Sequence, residues 1–260
     1  MDFVVAIPSY KRAAVCNAKT LALLRRHGLI DRTTVFIVPE ELEDYKRHCP
    51  DVALVCGVRG VAAQRRVITA TFPERRILFL DDDLEDLIGL DRRSIPSLKE
   101  MAERGFARCE AEGCRFWGVL GVPNPYFMSP EPSTHLLFCI GCCYGVINRG
   151  PEPFVPIDLK EDFYRTCAYY KADGKIVRLN DVAPRTRYYI EPGGNQEIRF
   201  QDAGRVLERE GCLRVVADFP EYATMYVRKK TGIPEIRLRD RGNSASIQKK
   251  MKFSSGHYSE

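Results

Sequence analysis

The segment Arg75-Arg76-Ile77-Leu78-Phe79-Leu80-Asp81-Asp82-Asp83 limits the fold more than any other stretch of the chain. Four apolar residues, a strand's worth, run straight into three adjacent carboxylates. A buried strand that ends on clustered acids delivers negative charge to the carboxyl edge of a sheet, where open α/β sheets bind ligands. On an extended chain Asp81 and Asp83 point to one side and Asp82 to the other. Carboxylates held that close repel each other unless a cation lies between them. Mg²⁺ or Mn²⁺ shared with a diphosphate meets that need, because hard cations take one or two carboxylates together with phosphate oxygens. The competing reading is an acidic helix start at Leu84-Glu85-Asp86-Leu87, since acids are favoured at that end of a helix.

Around this segment, strand and helix patterns alternate. Phe3 to Ile7, Thr33 to Val38, Val52 to Cys56 and Ile77 to Leu80 read as strands. Ala14 to Arg26, Glu40 to His48 and Gly60 to Ala70 read as the helices between them, and Ile95 to Glu112 as the next. Such alternation predicts a mostly parallel sheet with right-handed crossovers. Beyond it, strands are expected over Phe116 to Val122, Leu136 to Cys143, Gly145 to Ile147, Ile176 to Leu179 and Leu213 to Ala217. Helices are expected over Asp158 to Ala172, capped by Asp158 or a neighbour, and over Asp202 to Glu210. The expected organisation is one continuous core with a nucleotide-binding half (1–115), an acceptor-binding half (116–224) and a basic carboxyl-terminal segment (225–260).

A chain of 260 residues, 45% hydrophobic and 29% charged, can bury a proper core as a folded soluble protein. No apolar run is long enough to span a membrane. The amino terminus reads as a first strand rather than a signal peptide, and the ten cysteines are scattered through apolar segments. Together these predict a cytoplasmic protein with reduced, buried thiols, including those of Cys139-x-x-Cys142-Cys143. The net charge of +5 hides an asymmetry. Met225 to Lys252 carries nine basic residues against Glu235 and Asp240, a net +7 that leaves −2 for the rest. Such a segment either meets a polyanion or is a solvated tail.

The residues suited to chemistry sit at strand ends. Pro8-Ser9-Tyr10-Lys11-Arg12 follows the first strand and can cradle a nucleotide with an aromatic ring and a hydroxyl. In Gly57-Val58-Arg59-Gly60-Val61-Ala62-Ala63-Gln64-Arg65-Arg66, Gly60 permits close backbone approach. The helix start there faces anions, and Arg59, Arg65 or Arg66 can reach a diphosphate. The spacing is neither a Walker loop nor a dinucleotide fingerprint. Lys160-Glu161-Asp162 opens a later helix, either as ordinary capping acids or as a general base for an acceptor hydroxyl.

In order and rough spacing, Pro8-Ser9-Tyr10, the helix start from Gly60 to Arg66, Asp81-Asp82-Asp83 and Glu161-Asp162 resemble the GT-A class of nucleotide-sugar glycosyltransferases. The resemblance covers roughly residues 3 to 200 and implies a Rossmann-like α/β catalytic domain. It implies Mn²⁺ or Mg²⁺ on Asp81 and Asp83, Asp82 at the sugar or ribose, and Asp162 as the catalytic base with Glu161 beside it in the catalytic pair. The implied donor is a UDP-sugar, cradled by Pro8, Ser9, Tyr10, Arg12, Arg59, Gly60 and Arg65. A late histidine often completes such a metal site, and His257 is the candidate by position, unless Ser254-Ser255-Gly256 marks a floppy end.

A narrower resemblance rests on Ile7 to Arg12, Leu78 to Asp83, Gly174 to Asn180 and Pro192-Gly193-Gly194-Asn195. These are similar to the TET/JBP-associated glycosyltransferases of bacteriophages. That family implies DNA as partner, with a 5-hydroxymethylpyrimidine such as 5-hydroxymethylcytosine as acceptor. Trp117, Tyr126 and Phe127 can then serve as stacking platforms for a base, or equally pack in a core or loop. Other readings share the acids: a transferase acting on a protein, lipid carrier or polysaccharide, or a sugar nucleotidyltransferase.

Overall fold

The computed structural model describes residues 1–186, 192–201, 205–229 and 231–240. In chain order the strands are β1 (Val4–Pro8), β2 (Thr33–Ile37), β3 (Ala53–Cys56), β4 (Arg76–Leu80), β5 (Asp86–Ile88) and β6 (Phe116–Val119). They continue with β7 (Cys143–Ile147), β8 (Val177–Leu179), β9 (Ala183–Arg185), β10 (Ala223–Val227) and β11 (Pro234–Leu238). The helices are α1 (Ala13–Cys16), α2 (Ala22–Arg26), α3 (Leu42–His48), α4 (Val61–Thr71), α5 (Leu98–Glu112), α6 (Glu161–Asp173), α7 (Asn195–Gln201) and α8 (Val206–Asp218). A π turn, Asn17–Leu21, joins α1 to α2.

Seven strands form the central sheet in the order β3-β2-β1-β4-β7-β6-β8. All neighbouring pairs are parallel except those of β7, which runs antiparallel to both β4 and β6. The apolar strands bury both faces, and their period-two alternation divides the core in two. Val5, Ile7, Leu78, Leu80 and Trp117 pack on one face with α5 and the first helices. Ala6, Ile77, Phe79, Phe116 and Tyr144 pack on the other, with Ile68 of α4 and Tyr169 of α6. A third cluster joins α6 and α8 to the β10–β11 hairpin through Tyr164, Cys167, Cys212, Val215, Phe219 and Ile236. Arg228, Lys229, Arg237 and Arg239 of the basic segment thus lie on or beside a packed hairpin, while residues 241–260 lie outside the described residues.

Three expected elements differ. Only Cys143 of the expected strand Leu136 to Cys143 is extended into the sheet; the rest is a loop that buries Leu136, Cys139 and Cys142. Leu213 to Ala217 lies inside α8 rather than forming a strand. Short apolar runs look alike whether a strand, a helix or a loop buries them. Leu84 to Leu87 does not start a helix: Asp86–Ile88 pairs antiparallel with β9, which removes the helix-cap reading of the acidic triplet.

Trp117 is fully buried, edge-on to Phe106, so it is a core side chain and not a stacking platform. Gly105 and Gly145 make room for it: a Cβ on Gly145 would fall 2.1 Å from its Nε1, and one on Gly105 would fall 2.5 Å from its Cδ2. Gly145→Ala should therefore destabilise the fold by about 1–3 kcal/mol through overpacking. A urea midpoint equal to that of the unmodified protein would show that Trp117 has space to move.

Candidate active site

Because β7 is antiparallel, its first residue pairs with the last residue of β4: Cys143 lies opposite Leu80. The loop entering β7 is thereby placed against the carboxyl ends of β1 and β4. Asp81 N–H donates to Cys142 O at 3.0 Å, continuing the ladder one step beyond β4. Here a cleft of about 510 Å³ opens, lined by the β1 end, the acidic triplet and the start of α6.

On the β1 side the hydrogen bonds form a relay. Ser9 Oγ donates to Asp82 Oδ2 at 2.5 Å, so the Tyr45 hydroxyl, 2.6 Å from the same Oγ, donates to it. Arg12 N–H donates to that Tyr45 hydroxyl at 3.3 Å, and burial holds the phenol well above its ordinary pKa. Arg12 Nη1 donates to Asp82 Oδ1 at 3.0 Å and to Asp83 Oδ2 at 3.1 Å, and its Nε donates to Pro192 O. The Pro192-Gly193-Gly194 stretch lies directly on the β1 end, with Gly194 N–H on Tyr10 O at 3.0 Å. Gly193 has φ +84, and a Cβ there would stand 2.9 Å from Lys11 O.

The acidic triplet is not extended. The strand stops at Leu80 and the chain turns, so the expected alternation gives way to a different grouping. Asp82 and Asp83 share Arg12, and Asp81 is paired with Arg65 Nη2 at 3.1 Å. Thr20, in the π turn, fixes both ends: its hydroxyl donates to Asp81 O at 2.7 Å and accepts Leu84 N–H at 2.9 Å. Thr186 Oγ1 donates to Asp83 O at 3.1 Å. The Asp81 side chain is 37% exposed, yet it stands at the foot of the cleft. Burial by the surrounding protein pushes its carboxyl up to about 7, against the pull of Arg65 and with repulsion from Asp83 and Asp82. Burial also raises Asp82, to about 6, although Arg12 and Ser9 oppose it.

The α6 side carries the other acids. Glu161 is buried between the guanidinium groups of Arg65 and Arg165. Arg165 lies 4.1 Å over the Tyr144 ring, and burial draws its pKa down to about 10. Asp162 faces the same cleft; burial raises its pKa although its Oδ1 accepts its neighbour's N–H, from Phe163, at 2.9 Å. Gly141 passes over this helix start, where a Cβ would fall 2.9 Å from Glu161 Oε1. The N-cap is Lys160, in the left-handed region at φ 63, and it makes no side-chain cap. Its ammonium is buried between Glu235 Oε1 at 2.9 Å and Glu208 Oε2 at 3.2 Å. Burial opposes that charge, but the two carboxylates outweigh it and raise the pKa. Asp158, expected as the cap of α6, instead accepts Ala62 N–H at 2.8 Å and caps α4 beside Gly60.

Of the glycine-rich stretch, Arg59 and Gly60 line the cleft, whereas Arg66 turns away to Val155 O and the Phe154 ring. Tyr10 lies near Lys11 Nζ and the Arg59 guanidinium, at 5.3 Å and 5.2 Å from its centroid, and Glu197 pairs with both cations. The fold thus gathers Pro8, Ser9, Tyr10, Arg12, Arg59, Gly60, Arg65, Asp81, Asp82, Asp83, Glu161 and Asp162; His257 lies outside the described residues. Sequence reasoning missed Thr20, Tyr45, Thr186, Glu197 and the capping role of Asp158, which reach the site only through the fold.

No three His, Cys, Asp or Glu side chains among the described residues form a ready-made metal cage. The oxygen-only donors around Asp83 do fit a hard cation that brings phosphate oxygens with it. A guanidinium already sits between two of these carboxylates, and Asp81 and Asp82 are raised first by burial and then by repulsion from Asp83, a repulsion that a cation would relieve.

No family model and no curated protein matches the sequence. The fold is matched by solved structures. Staphylococcus aureus TarS, residues 1–349, superposes with a TM-score of 0.51 at 16% identity, over 85% of this chain and 71% of that one. A mannosyltransferase of Pyrobaculum calidifontis, in complex with GDP-Man and Mn²⁺, gives a TM-score of 0.52 at 14% identity, over 83% of this chain and 64% of that one. The shared architecture is the GT-A fold. Among the described residues no helix is long and apolar enough to cross a membrane.

Asp81 and Asp82 hold their protons more tightly folded than unfolded. The stability of their neutral forms is present below the ordinary carboxylate pKa and lost as pH rises toward about 6 and 7. Asp81→Asn should therefore lose less stability than the unmodified chain between about pH 4.5 and about pH 7.5, by urea midpoints. Equal losses would remove Asp81 from this titration.

Proposed function

We propose that this chain is a metal-dependent glycosyltransferase that takes its sugar from a UDP-sugar. The carrying observation is that Asp162 and the acidic triplet line one cleft, with three arginines close to them. The cleft is large enough for a nucleotide and its sugar. Tyr10 offers a flat face for the base, and Arg12, Arg59 and Lys11 supply positive charge for the diphosphate. The mannosyltransferase sharing the fold is described with a nucleotide-sugar and Mn²⁺, which agrees with this reading.

Mn²⁺ or Mg²⁺ would be held by Asp83 together with Asp81 or Asp82, and would neutralise the nucleoside diphosphate as it leaves. The protein's own groups carry the rest. Asp162, whose half-buried carboxylate has a raised proton affinity, takes the proton from the acceptor hydroxyl as that oxygen attacks the anomeric carbon. Glu161 is committed to Arg65 and Arg165 and acts as a brace that keeps the start of α6 in line with Asp81. Arg12 joins the β1 end to Asp82 and Asp83, so that the nucleotide cradle and the acidic turn move as one unit.

For the acceptor we infer the hydroxymethyl group of a 5-hydroxymethylpyrimidine in DNA, 5-hydroxymethylcytosine first. Two features support it: the resemblance carried by Ile7 to Arg12, Leu78 to Asp83 and Pro192 to Asn195, and the net +7 of Met225 to Lys252. The test is mass spectrometry of nucleosides from hydroxymethylated DNA incubated with the protein, Mn²⁺ and a panel of UDP-sugars. A hexose or N-acetylhexosamine mass on the modified nucleoside is expected. UDP release with no modified nucleoside would keep the transferase and remove the DNA acceptor.

Asp162→Asn should lower turnover by about two orders of magnitude or more while UDP binding persists. Near-normal turnover would place the base elsewhere. Asp83→Asn should abolish the Mn²⁺-dependent part of UDP affinity measured by calorimetry. An affinity that still rises with Mn²⁺ would move the metal off Asp83.

A further inference from the structure

Beside the candidate active site lies a second, open depression of about 400 Å³, lined by Ile88, Arg92, Pro123, Asn124, Pro125 and Arg185. The β5–β9 ribbon connects the two. Leu84 and Glu85 alone separate Asp83 from β5, and Thr186, bonded to Asp83, directly follows Arg185 at the end of β9.

Its charge is unbalanced. The Arg92 side chain has no acid partner among the described residues, and Arg185 is 53% exposed, with its nearest carboxylate oxygen, on Asp86, 3.9 Å away. Arg26 reaches that same Asp86 at only 3.5 Å. Asp86 is itself buried and already accepts from Ser94 Oγ at 2.5 Å and Leu87 N–H at 2.9 Å. The other acid close by, Asp91, accepts Arg93 N–H at 3.0 Å. Arginines therefore outnumber carboxylates around this depression.

Exposed rings follow its lining residues in the chain. Immediately after Pro125, Tyr126 is 87% exposed and Phe127 58% exposed, with their rings edge to face at 5.0 Å. The loop that carries them is pinned: Phe127 N–H to Asn124 O at 2.9 Å, Ser129 N–H to Asn180 O and Leu120 N–H to Val182 O, each at 3.1 Å. Two large rings held in water on a fixed loop are a contact surface with no partner inside the chain.

Exposed guanidinium groups next to exposed rings match a ligand that alternates phosphates with flat faces. We propose that this depression binds single-stranded nucleic acid, holding the strand that flanks the acceptor nucleotide: Arg92 and Arg185 meet phosphates, and Tyr126 and Phe127 stack on bases. This rests on the DNA-acceptor reading above and adds to it the surface that grips the strand. A protein partner would be met by a broader apolar face, and a membrane by a convex one, whereas this site is a charged concavity whose Pro125 leads directly into two exposed rings.

The test is fluorescence anisotropy with a labelled oligothymidylate of about 20 nucleotides, a length that spans such a site. The full chain is compared with Arg92→Glu/Arg185→Glu and with Tyr126→Ala/Phe127→Ala, while UDP binding in each variant confirms that the fold is intact. The arginine pair should weaken binding at least ~10-fold and make the slope of log affinity against log salt shallower by about 1.4, as for two lost phosphate contacts. The aromatic pair should weaken binding at least ~10-fold with the salt slope unchanged. Oligonucleotide binding that neither double variant weakens would overturn the surface and leave the DNA acceptor standing. If only the arginine pair matters, and heparin competes as well as the oligonucleotide, the site is a general polyanion surface and the proposal fails. No binding by the unmodified chain, with UDP-sugar hydrolysis retained, would overturn this surface, while the nucleoside mass spectrometry separately decides the DNA acceptor.

Discussion

Carboxylates crowded at the foot of a cleft repel one another, and at the carboxyl edge of this sheet Asp81, Asp82, Asp83, Glu161 and Asp162 all face one space. The fold tolerates them because three guanidinium groups are threaded between them. Arg12 bridges Asp82 and Asp83, Arg65 bridges Asp81 and Glu161, and Arg165 closes the set from inside α6. Each arginine comes from a different part of the chain, so neutralising the charge also ties the β1 end, α4 and α6 to the end of β4. Buried ion pairs add little net stability, but breaking one strands a charge. Their effect here is to hold the acids in one geometry. Burial is the first cause of the raised proton affinity of Asp81 and Asp82, and repulsion from Asp83 adds to it, so a further cation would relieve part of the strain.

The antiparallel strand in a mostly parallel sheet decides where the second half of the chain meets the first. Had β7 run parallel to β4, its entry loop would have opened at the opposite edge of the sheet. As it stands, Gly141 and Cys142 are delivered between Asp81 and the start of α6. Arg65 donates to Gly141 O at 3.1 Å and Asp81 N–H donates to Cys142 O at 3.0 Å. Behind α6, Lys160 carries the same logic outward. Its ammonium binds Glu208 of α8 and Glu235 of β11, and Gly211 of α8 lies so close that a Cβ would stand 2.6 Å from Leu159 O. The carboxyl-terminal hairpin therefore braces the residue next to Glu161 and Asp162.

Much of this was open to reading along the chain. The apolar strands, their alternation with helices and the acids after Leu80 follow from local pattern, because burial on a pleated sheet imposes a period of two and a charged strand end must reach an edge. Asp162 at a helix start was equally visible. Other features were not. The run Leu213 to Ala217 is apolar enough for either state, and it is helical in a fold that buries Val215 with Tyr164, Phe219 and Ile236 in the third cluster. Trp117 and Tyr126 are both aromatic residues near the proline-rich loop, yet one is fully buried and the other almost fully exposed.

By itself the sequence determined that an α/β sheet would form and that its edge would be acidic, since both depend on residues adjacent in the chain. Only the tertiary structure decided which cation meets which acid. Arg12 and Asp82, Arg65 and Glu161, and Lys160 and Glu235 are brought together across long stretches of chain. The partner of a buried charge is fixed by the geometry of packed elements, and spacing along the chain does not encode it.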